Sequence, residues 1–511
     1  MDKFRRFPSL QPRQAADSPA AAGMFPGSLS IIRLACIAVA IAAANCSVST
    51  DHPASRDGSP NIIWILADDL GYGDLGSYGQ QRIRTPRLDR MAAEGMRFTD
   101  AYAGFTVCAP SRSVLMTGQH TGRTRVRRNG SPGLLDEDVT VAELLQAEGY
   151  ATALIGKWGL GMEDSPGAPW KQGFDHFFGY LSQGHAHNFY PEFLMLGGER
   201  VPLRNVVWRS RRYGGMSGVA TERIDYSHDL LVEDALRWID EHADRPFFLY
   251  LALTIPHANN EAGSRDGGGD PGIGNVEADL GDHRDRIGME VPDVGPYTGE
   301  DWPGPQKGTA AMITRLDAGV GQIFDSLARL GIDERTIVFF SSDNGPHAEG
   351  GNDPFFFDSN GPLQGYKRSL HDGGIRVPTI VRWPGRIEAG AVSGFVWYFA
   401  DFLPTVAELV GFNLPDGIDG ASILPVLLGK AHDTEGRFLY WGGTPGRAEA
   451  VRWGRWKAVR EGPDKPLELF DLDRDIGEEV DVAADHPEVA GAISEYIESV
   501  VTPLPESVSA P

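Results

Sequence analysis

Asn61-Ile62-Ile63-Trp64-Ile65-Leu66-Ala67 is an unbroken apolar run of strand length, and it ends in two adjacent carboxylates, Asp68 and Asp69. A strand that is apolar on both faces must be covered on both faces, which is the habit of a parallel sheet packed between helices. The runs at 151–155, 247–253 and 336–340 have the same character. Helix signals fall between them. Thr140 and Glu143 form a capping box for a helix running to Glu148, which Gly149 stops. Met312, Leu316, Val320, Ile323, Leu327 and Leu330 line one helical face that Gly331 ends. The alternation predicts an α/β fold. In open α/β sheets, ligands bind beyond the carboxyl ends of the strands, so the residues that follow each run carry the functional information.

Those residues are charged or polar. Asp68 and Asp69 repel one another and need a cation or a shared proton. The run at 336–340 leads into Ser341-Ser342-Asp343-Asn344-Gly345. Three carboxylates and one amide make an all-oxygen set, which suits Ca²⁺ or Mg²⁺ and not Zn²⁺. Lys157 follows the run at 151–155, and His257 follows Thr254-Ile255-Pro256 after the run at 247–253. Lys367 and Arg368 precede His371-Asp372-Gly373-Gly374. One Lys or His after a strand is usually a solvated loop residue; together, these make a pocket for an anion. In Cys108-Ala109-Pro110-Ser111-Arg112, Pro110 suits the first turn of a helix. Cys108 then stands at the helix N-terminus, where amide groups favour an anion, and Arg112 adds fixed charge. In isolation such a cysteine is more often a buried structural residue.

In this order, from about residue 61 to about residue 485, the motifs resemble those of the type I, formylglycine-dependent sulfatases, and in particular its carbohydrate sulfatases. The resemblance implies an alkaline-phosphatase-like large mixed sheet flanked by helices, with a smaller C-terminal antiparallel sheet plus helix. It implies that a maturation enzyme oxidises Cys108 to formylglycine, whose hydrate attacks the sulfur of a sulfate ester. By motif match, Asp68, Asp69, Asp343 and Asn344 resemble the ligands of one divalent cation, Ca²⁺ first and Mg²⁺ second, with residue 108 also facing the metal. Arg112, Lys157 and Lys367 resemble the cations that hold formylglycine and sulfate. His257 resembles the general acid that protonates the leaving alcohol. Two positions depart from the family pattern. Gly159 stands where relatives carry a histidine that contacts the formylglycine, and His185 or His187 is a candidate to replace it. Asp372 stands where glutamate is usual, a change expected to matter little.

Residues 34–44 form a short apolar segment behind Arg33, too short to span a bilayer comfortably. It reads as an export signal, with Met24 a candidate start, and the protein is expected in the periplasm or outside the cell. Ala43-Ala44-Asn45-Cys46 partly matches a lipoprotein box, so membrane attachment would run through Cys46 alone. The expected organisation is a signal region at 1–45, a linker at 46–60, a catalytic domain at 61–428 and a small α+β domain at 429–505. The last has short strands at 437–441, 448–453, 456–460 and 467–472 and a helix at 487–500. Once Cys36 is removed, too few cysteines remain for a disulfide framework. Residues 258–306 read as a surface insertion, because Asp266-Gly267-Gly268-Gly269-Asp270 lacks the spacing of a calcium loop. With 47 Lys plus Arg against 70 Asp plus Glu, the net charge of −23 disfavours nucleic acid and anionic membranes as partners.

His185, His187, His347, Glu349, Asp358 and Asn360 form a candidate polar rim for reading hydroxyls. Phe355-Phe356-Phe357 either stacks on a sugar or is core. Together they favour a sulfated carbohydrate over a flat aryl sulfate. Sulfatases with a similar G-K-W-G and H-A-H pairing point to a galactose or N-acetylgalactosamine sulfate, with O4 the suggested position. The competing readings are an arylsulfatase, a two-zinc phosphodiesterase or phosphonate hydrolase of the same fold, and an inactive sulfoglycan-binding protein.

Overall fold

The computed structural model describes residues 58–209, 215–262, 288–432, 436–443 and 447–502. The export segment, Cys46 and the Asp266–Gly–Gly–Gly–Asp270 stretch lie outside the described residues. Among the described residues, ten strands form one mixed sheet. Its order is Ala391–Ser393, Met96–Phe98, Thr379–Arg382, Thr336–Ser342, Asn61–Ala67, Phe247–Ala252, Ala151–Lys157, His176–Tyr180, Phe193–Leu196 and Glu199–Pro202. The five strands from Thr336–Ser342 to His176–Tyr180 run parallel; outside them the pairs are antiparallel, except that Ala391–Ser393 lies parallel to Met96–Phe98. The apolar runs are therefore the sheet's centre, and Asp68, Lys157, His257 and Asp343 come off the same edge.

Alternation along each central strand feeds two cores. Trp64 and Leu66 join Phe248, Tyr250 and Phe339 on one face, against the Cys108–Thr117, Val141–Ala147 and Phe402–Val410 helices. Ile63 and Ile65 join Leu249, Leu251 and Phe340 on the other, against the Ser227–His242 and Gly304–Leu330 helices. The capping box is present: Glu143 N donates to Thr140 Oγ1 at 3.2 Å and Thr140 N to Glu143 Oε2 at 2.8 Å. Gly331 ends the Gly304–Leu330 helix in the left-handed region, with φ of 69°. The Pro86–Glu94 helix has no cap from its own N-cap residue. Asp317, from the long helix, accepts from Arg87 N at 2.9 Å and Leu88 N at 2.7 Å instead.

A four-stranded antiparallel sheet, Phe438–Trp441, Glu449–Trp453, Trp456–Arg460 and Glu468–Asp471, packs on the Pro487–Val500 helix through Tyr440, Val451, Leu469, Ile493 and Ile497. It is bolted to the larger sheet's layer by buried polar groups. Lys457 Nζ donates to Leu370 O at 2.8 Å, Asp372 Oδ1 at 2.9 Å and Glu478 Oε1 at 3.1 Å. Asp372 also accepts from Tyr102 at 2.8 Å, and its backbone N–H donates to Glu478 at 2.6 Å. The aspartate at 372 thus serves this junction. No helix among the described residues is long and apolar enough to cross a membrane.

Candidate active site

The sheet order brings distant motifs together. Ala67 O accepts from Asp343 N at 3.1 Å, so the acidic ends of two neighbouring strands leave the sheet side by side. Asp69 holds a φ of 67°, a left-handed backbone that Asp tolerates better than most residues. The Cys108–Thr117 helix starts against them, with Cys108 Sγ 3.4 Å from Asp68 Oδ1. Its first turn has no side-chain cap from Val107, but Asn129 Oδ1 takes the Ala109 N–H at 3.0 Å. One turn on, Arg112 is fully buried. Its Nε and Nη2 donate to Asp343 Oδ2 at 3.1 and 2.9 Å, and its Nη1 to the Lys157 carbonyl at 2.6 Å. Lys157 Nζ donates to Asp68 Oδ2 at 2.7 Å, and Lys367 Nζ to Asp69 Oδ2 at 2.7 Å. Each carboxylate faces a cation, as burial requires.

These contacts set the protonation of the site. Burial works to raise Asp68 and Asp69, but Lys157 beside the first and Lys367 beside the second hold both below the usual carboxylate value. Burial, with Asp68 next, pushes Asp343 up to about 7 against the pull of Arg112. Burial, then Asp343 and Asp68, raises the Cys108 thiol well above its ordinary value. An unmodified Cys108 therefore keeps its proton and is a poor nucleophile. His257 Nδ1 donates to the Ala258 carbonyl at 2.6 Å, which leaves Nε2 facing Lys367 Nζ at 3.1 Å. Burial and then Lys367 push His257 down to about 3.

The set fits a hard cation. Asn344 donates through Nδ2 to Asp69 at 2.7 Å, while its Oδ1 is buried and has no hydrogen-bond partner. An orphaned amide oxygen among three carboxylates is a ligand array for Ca²⁺ or Mg²⁺. Cys108 and His257 lie within the same cluster as Asp68 and Asp69. The protonated thiol and the imidazole nitrogen already facing Lys367 leave the oxygens as the better donors.

Of the rim candidates, three join this cluster. The His187 ring stacks on His257 with centroids 4.9 Å apart, and His347 lies on it at 6.0 Å. Glu349 Oε2 is 3.9 Å from Lys367 Nζ, and Arg368 pairs with the same carboxylate. His185 does not join it. It packs on Tyr180 and Phe193 and lines a separate cavity with Asn188, Arg200 and Arg209. The two histidines share one short 3₁₀ turn, His185–His187, in which residues i and i+2 point to different sides. Asp358 is exposed at a φ of 56°, and Asn360 donates to the Leu363 carbonyl of its own loop. Among the described contacts neither touches the cluster. Phe357 is core, Phe356 lies against Arg82, and Phe355 is exposed and meets Tyr366 edge-on.

Two residues near the site carry no sequence signal. Glu261 is fully buried and meets His187 Nδ1 at 3.3 Å. Gln183 lies over Gly159: a Cβ at 159 would fall 1.9 Å from Gln183 Nε2.

A family model described as Sulfatase matches residues 60–412, and one described as N-sulphoglucosamine sulphohydrolase, C-terminal, matches residues 365–501. Arylsulfatase A of Homo sapiens is 33% identical, with 86% of each chain covered. The N-acetylgalactosamine-6-O-sulfatase of Bacteroides thetaiotaomicron is 28% identical, covering 87% of this chain and 93% of its own. The crystal structure of Ps i-CgsB in complex with k-i-k-neocarrahexaose superposes with a TM-score of 0.69 at 26% identity, covering 87% of this chain and 94% of that one. The phosphonate monoester hydrolase of Agrobacterium radiobacter, at 22% identity and a TM-score of 0.58, shares the fold.

Proposed function

The chain belongs to the sulfatase family and is a sulfuric ester hydrolase, and we propose that it is an exported enzyme that removes sulfate from a sulfated carbohydrate, a galactose or N-acetylgalactosamine sulfate. In this reading Cys108 is converted to formylglycine by a maturation enzyme. Asp68, Asp69, Asp343 and Asn344 hold one divalent cation, Ca²⁺ by preference. The observation that carries the reading is Cys108 at a helix N-terminus, 3.4 Å from Asp68, inside a buried cage where Arg112, Lys157 and Lys367 each face a carboxylate. When present, the cation and the hydrated aldehyde supply charge for the sulfuryl oxygens and the attacking hydroxyl. The chain's own residues do the rest. Arg112 and Lys157 fix the carboxylates and present positive charge to an anion that enters. Catalysis is then mostly positioning and electrostatics, as in phosphoryl transfer. His257 Nε2 faces the pocket; once an entering sulfate anion offsets the charge of Lys367, it is the atom that would take up a proton and pass it to the leaving sugar alkoxide. Lys367, whose Nζ donates to that nitrogen, is the nearest store of a replacement proton.

The carbohydrate reading is supported by relatives named N-acetylgalactosamine-6-sulfatases and by the likeness to Ps i-CgsB with its neocarrahexaose. Export is supported by the apolar segment at 34–44. The test is peptide mass analysis of residue 108, together with sulfate release from galactose and N-acetylgalactosamine sulfated at O4 or O6. The reading expects the aldehyde or its hydrate at 108 and an inactive, folded Cys108→Ala protein. Parental activity in Cys108→Ala would overturn the nucleophile. Turnover of aryl sulfates with none of the sugars would overturn the substrate class.

A further inference from the structure

We infer that Gln183 replaces the side chain missing at Gly159, and that its Nε2 donates a hydrogen bond to a sulfuryl oxygen of the bound sulfate ester. The inference goes beyond the proposed function and rests on its sulfate pocket. Residues 158–159 and 180–181 are zipped together: Trp158 N donates to Tyr180 O at 2.9 Å and Gly159 N to Leu181 O at 3.1 Å. That pairing delivers Gln183 onto Gly159. A Cβ at 159 would meet Nε2 at 1.9 Å, Cδ at 2.8 Å and Cγ at 3.3 Å, so the whole carboxamide occupies the room a side chain there would need.

The surroundings are those of the anion pocket. Two residues before Gly159, the Lys157 carbonyl accepts from Arg112 and its Nζ donates to Asp68. Four residues after Gln183, His187 stacks on His257. Gln183 thus stands on the segment that joins two walls of the site. Its Nε2 is buried and has no hydrogen-bond partner. A buried donor without a partner calls for a physical reason, and a bound ligand is one of them. Gly159 follows Lys157 by two residues in a segment that already serves the cationic cage, so the complement that fits this donor is an anionic oxygen. A carboxamide also differs from the imidazole of relatives in kind: it donates, but it takes up no proton. Position 159 and its substitute therefore add no base to sulfate release.

The test uses inorganic sulfate as probe, with affinity measured by calorimetry and again as product inhibition. Gln183→Met keeps the length and removes the donor; sulfate should bind roughly tenfold more weakly, the usual cost of losing one hydrogen bond to a charged group. Gln183→Glu keeps the shape and adds a negative charge. It should bind sulfate more weakly still at neutral pH and regain affinity as the solution is acidified and the new carboxyl gains a proton. A merely structural residue would not show that pH-dependent recovery. Wild-type sulfate affinity in both variants would overturn the inference. So would equal losses in both that track a lowered melting temperature without pH rescue. Because calorimetry needs no turnover, a failure of the formylglycine reading leaves this result interpretable.

Discussion

Gly159→Ala is the sharpest single perturbation of the site's architecture. Gly159 holds a φ of 80°, where an alanine is strained by roughly 1–2 kcal/mol. Its new Cβ would also start 1.9 Å from Gln183 Nε2. Ordinary contact is near 3.5 Å, so the amide must retreat by about 1.5 Å and give up packing, about 1 kcal/mol more. The total is roughly 2–3 kcal/mol. For an ordered body of about 400 residues, unfolding entropy near 0.9 kcal/mol/K turns this into a fall of about 2–3 °C in Tm. Gly159→Ala in a Gln183→Ala background retains the backbone term and loses the collision, so there it should cost only roughly 1–2 kcal/mol. Differential scanning calorimetry and urea titration of the four proteins measure the coupling, expected near 1 kcal/mol. Strict additivity of the two substitutions would refute the steric account. An unchanged Tm for Gly159→Ala would refute the strain as well.

Asn344→Leu removes the orphaned amide oxygen, and should lower Ca²⁺ content and activity together by elemental analysis and sulfate release; two zinc ions in the parent would instead favour phosphodiester chemistry. Lys367→Met leaves Asp69 buried without its ammonium, and should cost about 3–5 kcal/mol of stability by urea titration, part of it recovered on adding Ca²⁺. Asp317, pushed up to about 6 by burial against the hydrogen bonds of Leu88 and Arg87, holds in the fold a proton that the unfolded chain has already released above pH 4. Its contribution is full below that point and is lost as pH rises through 6. The Tm of wild type relative to Asp317→Asn should therefore fall between pH 4 and pH 6; a constant difference across that window would show that the carboxyl does not titrate there.

The meeting of the charged residues at the strand ends was legible in the sequence because its information is local. Each apolar run marks a central strand, and the next one to four residues are the ones the sheet edge presents. That logic found Asp68, Lys157, His257 and Asp343 without knowledge of strand order. It lengthened badly: the 336–340 run continues through Ser341 and Ser342, and the 151–155 run through Gly156 and Lys157, because hydrogen bonding to neighbouring strands, not hydropathy, sets a strand's end. The rim was read less well because its residues are sorted by geometry that composition does not encode. His185 and His187 are chemically identical, yet one 3₁₀ turn sends them apart. Asn360 has the polarity of a hydroxyl reader, and its amide holds its own loop. Gln183 and Asp317 act on chain segments far from them in sequence, and neither belongs to a motif.

Lys457 has a bearing on how such proteins can be recombined. Its ammonium is satisfied only by groups from two separate stretches, the 370–372 loop and Glu478, and Asp372 in turn receives Tyr102 and Arg376 from the larger sheet's layer. The C-terminal sheet is consequently not an interchangeable cassette. A chimera that imports residues 438–500 from a relative with a different side chain at 457 would leave Asp372 buried without that ammonium, with Arg376 as its remaining cation. Grafts that carry 370–372, 457 and 478 as one inherited unit keep the charges matched, so the productive crossover point lies upstream of Leu370.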